Sequence, residues 1–262
     1  MGKLTKEGIK EIYFLRDIAG YGPEPIECIR RVQTLPHVIM GNHDYALASD
    51  GCSSENYIDL ARNSLSWTEK KIQQENDADK ITDYLRSLPN SMKADIFGKP
   101  TQFYHGSPKE PLTDYILSSL RTSNHIAQKL FQRQRLSLDE HSQVCEVFKQ
   151  YREEQFSLIE GVCFVGHSHR AGVLTRKGYL TDQELGQLYE LTGEKVFINV
   201  GSVGQPRDHI GIPSAVLYDG KKARFLRFGY DSSKVSKKVL GKNVCMDEAL
   251  TKELASYFSE LV

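Results

Sequence analysis

Apolar residues fall along this chain in short runs, most of them closed by a cluster of polar side chains. Glu11-Ile12-Tyr13-Phe14-Leu15 predicts a first strand that runs into Arg16-Asp17. The segment Ile18-Ala19-Gly20-Tyr21-Gly22-Pro23 is turn chemistry, and Pro25 can open a helix covering Ile26, Ile29, Arg30 and Val32. Val38-Ile39-Met40 predicts a buried strand that stops at Gly41-Asn42-His43-Asp44. Helical spacing then carries Tyr57, Leu60, Leu65 and Ile72, and a further helix carries Ile81, Tyr84, Leu85 and Leu88 up to Pro89. Ala94 to Phe97 and Thr101 to Tyr104 read as strands joined at Gly98-Lys99-Pro100, the second delivering His105-Gly106-Ser107-Pro108.

Between residues 112 and 156 the pattern is helical, polar and short of glycine and proline, as in an inserted cap. Val162 to Val165 is again strand-like and ends in Gly166-His167-Ser168-His169. Val196 to Asn199 is followed by Val200-Gly201-Ser202-Val203-Gly204-Gln205-Pro206-Arg207-Asp208. Ala215 to Tyr218 and Ala223 to Phe228 flank Asp219-Gly220, a hairpin signal, and Leu250, Leu254, Tyr257 and Phe258 predict a closing amphipathic helix. With no repeat or linker, the expectation is one α/β domain over 1–262, built of two sheets with helices outside them.

Composition narrows the function classes. The 34 Lys and Arg balance 34 Asp and Glu, so no polyelectrolyte attraction to nucleic acid or anionic lipid is expected. The basic residues from Lys221 to Lys238 read as a solvated face. No apolar run approaches the length of a membrane span. Five scattered cysteines without a Cys-x-x-Cys pair fit free thiols in a reducing, cytoplasmic setting.

The chemistry collects at the strand ends. Asp17, Asn42-His43, His105, and His167 with His169 each close an apolar run, and ligands of α/β proteins gather at the carboxyl ends of strands. Carboxylate, amide oxygen and imidazole are the donors that borderline divalent metals accept. In an extended segment side chains two apart face the same way, so His167 and His169 are expected to converge. Asp44 offers a carboxylate able to orient the His43 imidazole. His37, His125, His141 and His209 lack this context and are taken as structural.

Asp17, Gly41-Asn42-His43-Asp44, His105-Gly106 and Gly166-His167-Ser168-His169 together resemble the successive motifs of the calcineurin-like metallophosphoesterases. Gly20-Tyr21-Gly22-Pro23, His105-Gly106-Ser107-Pro108 and Asn199 to Asp208 resemble its small bacterial and archaeal phosphodiesterase branch. The resemblance spans nearly the whole chain. It implies a four-layer α/β/β/α sandwich with a dinuclear centre, manganese most of all, or iron, zinc or nickel. By resemblance Asp17 bridges both ions, Asn42, His105 and His167 complete one site, and His169 belongs to the other. His43 would act as general acid at the leaving-group oxygen, and two ions would generate a bridging hydroxide for in-line attack. Arg207 is the candidate for steadying the substrate phosphate. The implied activity is hydrolysis of a small phosphoester or nucleotide by a phosphodiesterase or phosphatase.

Two departures qualify that picture. The family's opening strand, ending in Asp-x-His, has no counterpart here, so the sandwich is expected to lack its first strand and helix, and the centre could hold one ion instead of two. A second copy of the chain could then cover the exposed sheet edge. Arg16 stands where the family has glycine, adding a guanidinium that could repel the second ion or help hold phosphate. The rival expectation is therefore a non-catalytic relative that binds a phosphorylated ligand or a protein partner.

Overall fold

Side chains alternate along four neighbouring strands and divide the interior into two cores. The computed structural model describes residues 8–15, 17–49, 57–116, 149–208 and 211–259. Six strands form the large sheet in the order β3 (Ser91–Ile96), β4 (Lys99–Tyr104), β5 (Val162–Val165), β9 (Val196–Val200), β6 (Ala171–Thr175) and β7 (Gly178–Thr181). Phe103, Val162, Phe164, Val173, Val196 and Ile198 face one core, whereas Tyr104, Cys163, Val165, Leu174 and Phe197 face the other. That period-two division is what buried strands impose.

The first of these cores is closed by two smaller sheets. One is the parallel pair β1 (Tyr13–Phe14) and β2 (His37–Val38); the other is antiparallel, in the order β10 (Ser214–Tyr218), β11 (Lys222–Arg227) and β8 (Leu188–Glu190). Leu15 and Ile39 from the pair, and Ala223 and Phe225 from the triplet, meet the large sheet there. A run of rings crosses it, Tyr13 stacking on His37 and on Phe103, each at 4.4 Å between centroids, and Phe103 on Phe164.

Helices complete the outside. On the far side of β1 and β2, Phe14, Val38 and Met40 pack on α1 (Pro25–Val32), α2 (Asn42–Ala48), α3 (Asp59–Gln73) and α4 (Ala78–Ser87) through Ile29, Val32, Leu65, Ile81 and Leu85. On the far side of the large sheet, Phe156 of helical residues 149–157 and Ile159 just after them cover its second core. At the C-terminal end, α5 (Ser232–Lys242) and α6 (Glu248–Ser259) bury Val239, Leu254 and Phe258 against Leu60 and Trp67 of α3. The layers thus run helix, sheet, sheet, helix, the expected α/β/β/α sandwich.

Several local expectations need correction. Asn42 opens α2, a helix with no sequence expectation, and Asp44 at its third position accepts from the Gly41 N–H and so caps it. The β3–β4 hairpin turns at Phe97-Gly98, with Pro100 already paired to Asp95 in the strand. Strands β6, β7 and β8 and helix α5 carry no sequence expectation; α5 buries only Ser236 and Val239, and its Lys238 and Lys242 reach Glu24 and the Pro23 carbonyl at 2.7 and 2.9 Å. Most of the 112–156 region lies outside the described residues, as do Arg16, His125, His141 and His209.

Candidate metal centre

β1 runs parallel to β2, and β4 parallel to β5, so the carboxyl ends of each pair open the same way. Asp17 and Asn42 follow the first pair, and His105 and His167 the second. These four residues meet. The ligand atoms of Asp17, His105 and His167 all lie within 4.8 Å of one another.

His105 fixes the sense of the arrangement. Fully buried, its Nδ1–H donates to the Leu15 carbonyl at 3.0 Å, because a carbonyl oxygen can only accept. In the neutral ring Nε2 is then left with a lone pair. It faces Asn42 Oδ1 at 3.0 Å, His167 Nδ1 at 2.9 Å and Asp17 Oδ1 at 3.7 Å. The amide orientation of Asn42 follows from Tyr57, whose hydroxyl donates to the Asn42 carbonyl and so accepts from Nδ2. One proton on His167 could satisfy one of these contacts, but none satisfies them all. Acceptor atoms turned on one another in a buried place are the donor set of a cation, and two imidazoles, an amide oxygen and a carboxylate fit a borderline divalent metal.

Burial governs the protonation states. It pulls the His167 ring down to about 3 and lowers His43, leaving both neutral at pH 7, the form in which an imidazole ligates. Burial raises the Asp17 carboxyl, but His105, His43 and His167 together with the His43 N–H outweigh it, and Asp17 stays below its ordinary value. The His43 N–H donates to Asp17 Oδ1 at 2.9 Å. Asp44, in contrast, is raised well above its ordinary value by burial and then by the charge of Asp17.

Asp44 does not orient the His43 ring. Its carboxylate accepts from Ile18 N at 2.8 Å and Gly41 N at 3.0 Å, tying the Asp17 loop to the start of α2. His43 Nδ1 is buried with no hydrogen-bond partner among the described residues and lies against Gly20, where an added Cβ would sit 2.2 Å away. The rings of Tyr21 and Tyr57 flank it at 4.9 and 5.8 Å.

The expectation that His167 and His169 face the same way from an extended segment and converge is also corrected. Both adopt left-handed backbone, with φ of 56° and 60°. Such conformations need support from their surroundings, and Asn199 gives it. Its buried amide donates to Gly166 O and Ser168 Oγ at 2.8 and 2.9 Å and accepts from Gly201 N. His167 joins the cluster, while His169 does not lie within the same distance of all three members. The His169 Nδ1–H is taken by the Gln205 carbonyl. Arg207 donates from its backbone to His169 O at 3.0 Å, which brings its guanidinium over the Tyr21 ring, 5.7 Å from the centroid.

Sequence reasoning missed Tyr115, whose ring stacks on His167 at 3.9 Å, and the parts played by Tyr21, Tyr57 and Asn199. Tyr115 carried no signal, falling in a stretch read as cap. Tyr21 lay in a motif that had been singled out without a role.

Comparison with known proteins bears on the fold and family. No family model matches the chain. The uncharacterized protein MJ0912 of Methanocaldococcus jannaschii is 31% identical over 245 residues, covering 92% of this chain and 84% of that one. The crystal structure of a metallophosphoesterase from Sphaerobacter thermophilus superposes with a TM-score of 0.65 at 25% identity, covering 97% of this chain and 91% of the other. The hypothetical protein PH1004 from Pyrococcus horikoshii OT3 shares the fold, with a TM-score of 0.61 at 20% identity and coverage of 97% and 88%. The chain belongs to the metallophosphoesterase superfamily, in one family with MJ0912.

Proposed function

We propose that this chain is a metal-dependent phosphoesterase hydrolysing a small phosphoester or nucleotide. The observation that carries the reading is the His105 Nε2 lone pair turned on Asn42 Oδ1, Asp17 Oδ1 and His167 Nδ1. Asp17, Asn42, His105 and His167 would hold a divalent ion, with manganese the leading candidate for this mixture of oxygen and nitrogen donors. A bound ion supplies Lewis-acid polarisation of a phosphoryl oxygen and a water-derived nucleophile of lowered pKa.

The chain's own residues would do the rest. His43, neutral at rest and held beside Asp17 by its backbone N–H, would exchange a proton with the leaving-group oxygen. Asp44 keeps the Asp17 loop and the start of α2 in register. Arg207 would steady the phosphate. Asp17 and His169 are what the described residues offer a second ion, and this thin provision favours the rival reading of a non-catalytic phosphoryl-binding relative.

The test is elemental analysis of the purified protein together with turnover of p-nitrophenyl and bis-p-nitrophenyl phosphate in added Mn²⁺. Bound metal with turnover is expected, and His43→Ala should keep the metal and lose about 10²- to 10⁴-fold in rate. One ion without turnover supports the rival, and no retained ion refutes both the centre and the activity built on it.

A further inference from the structure

An imidazole that ligates a metal is ordinarily oriented by a hydrogen bond from its other ring nitrogen, and His105 follows that rule through the Leu15 carbonyl. His167 does not. Its Nδ1 is turned on the cluster, 2.9 Å from His105 Nε2, and among the described residues no group hydrogen-bonds to its Nε2. Asn199 holds the backbone on either side of it, through Gly166 O and Ser168 Oγ. What meets the ring itself is Tyr115, stacked on it at 3.9 Å between centroids and 27° between planes.

Tyr115 is carried by the loop that leaves β4 through His105, so one short stretch of chain joins two of the four donors. The loop folds back on itself. The N–H of Gly106 donates to Pro111 O at 2.6 Å, and those of Ser107 and Asp114 to Glu110 O at 3.2 and 3.4 Å. A Cβ on Gly106 would stand 2.8 Å from both the Glu110 and the Asp114 carbonyl oxygens, a close approach that needs glycine. Asp114 then fastens the loop to the outer helical layer. It is buried, and its Oδ2 accepts from Ser107 Oγ at 2.7 Å, from the Tyr151 hydroxyl and from Gln155 Nε2 at 3.4 Å. Tyr151 and Gln155 belong to helical residues 149–157, and both are buried. On the other side of Tyr115, Ile116 packs into the core formed with Tyr151 and Phe156. Both neighbours of Tyr115 are therefore anchored away from the cluster, and its half-buried ring is left lying on His167.

We propose that Tyr115 is the positioning residue of the His167 ligand, a stacked ring standing where a hydrogen bond ordinarily would, and that Asp114 acts through it. The inference rests on the metal-centre reading of the proposed function. An ion on Nδ1 draws electron density out of the imidazole, and the electron-rich face of the phenol ring then holds that imidazole more firmly. A ring ordered before the ion arrives also loses less freedom when the ion binds.

The experiment is calorimetric titration of the full, metal-free chain with Mn²⁺, for the parent and for Tyr115→Leu, Tyr115→Phe and Asp114→Asn. The visible absorption of the Co²⁺-loaded chains gives a second readout, sensitive to ligand geometry, and urea denaturation of the metal-free chains reports folding separately. Losing an outer support of a ligand weakens metal binding by about 10- to 100-fold. Tyr115→Leu should therefore bind Mn²⁺ at least about tenfold more weakly and alter the Co²⁺ band, and Tyr115→Phe, which restores the ring, should rescue both. Asp114→Asn should weaken Mn²⁺ binding several-fold, and should add nothing to the loss in Tyr115→Leu, because the two residues act in series. If Tyr115→Leu keeps the parent's Mn²⁺ affinity and Co²⁺ spectrum, the proposal is overturned while the metal centre stands. Equal losses in Tyr115→Leu and Tyr115→Phe overturn it too, since the hydroxyl and not the stacked ring would then matter. Additive losses in the double variant overturn the part assigned to Asp114. A parent chain that takes up no Mn²⁺ removes the metal centre and the proposal together.

Discussion

Gly41→Ala would test whether close packing sets the position of the Asp17 ligand. At Gly41 φ is −97° and ψ 172°, a backbone that alanine adopts without strain, so any effect is steric. An added Cβ would stand 2.1 Å from Asp17 Oδ1 and 2.6 Å from Asp17 N. Ordinary non-bonded contact begins near 3.5 Å, so Asp17 must retreat by on the order of 1 Å. Its carboxylate accepts from the His43 N–H, and its loop is tied through Ile18 N to Asp44, so the retreat strains bonds on both sides. Overpacking of this kind costs about 1–3 kcal/mol, and displacing a ligand should weaken metal binding by about 10- to 100-fold. Calorimetric titration with Mn²⁺ and urea denaturation of the metal-free chain measure the two effects separately. If Gly41→Ala binds Mn²⁺ within a factor of two of the parent and unfolds at the same urea concentration, the packed approach is not what holds the ligand and the reasoning fails.

Three other substitutions probe the supports around the site. Asn199→Ala strands the Gly166 carbonyl and Gly201 N–H in a buried place and should cost about 3 kcal/mol in urea denaturation, with weaker Mn²⁺ binding through His167. Arg227→Met leaves Asp182 and Asp208 facing one another, their side chains 1% and 7% exposed, and should destabilise the fold by about 3–5 kcal/mol by the same assay. Gly241→Ala, in α5 with nothing within 4 Å of the added Cβ, should raise stability by about 1 kcal/mol; a lowered midpoint would contradict that.

The strand ends were legible because polar clusters closing apolar runs are a local signal. Val162 to Val165 has the bounds read from its sequence, and Asp17, Asn42, His105 and His167 converge as their places at strand ends implied. The two sheet layers with helices outside them followed from the same pattern, although one layer is divided into two smaller sheets. What could not be read depends on backbone geometry and on partners distant in the chain. His167 and His169 follow a strand, but a left-handed turn replaces the alternation their spacing suggested. Asp44 lies next to His43 in the sequence, yet its oxygens answer N–H groups at Ile18 and Gly41, which only the folded loop presents. Tyr115 owes its place over His167 to a loop held by Asp114, which accepts from Ser107 and Tyr151, a buried network without any periodic signature. Strands β6 to β8 alternate too briefly, and among too many turn residues, to stand out.

The His105 contacts to Asn42 and His167 join residues 63 and 62 positions apart. Such a centre cannot form from a local stretch of chain, as a zinc finger's does, and its ion cannot nucleate folding. On the ribosome, a nascent chain that has not yet delivered residue 167 holds at most three of the four donors, and the sheets that present them are still incomplete. Ion capture at this centre would therefore come late in biogenesis, once the sheets that present the four donors are complete, and the first two-thirds of synthesis would proceed without help from a metal.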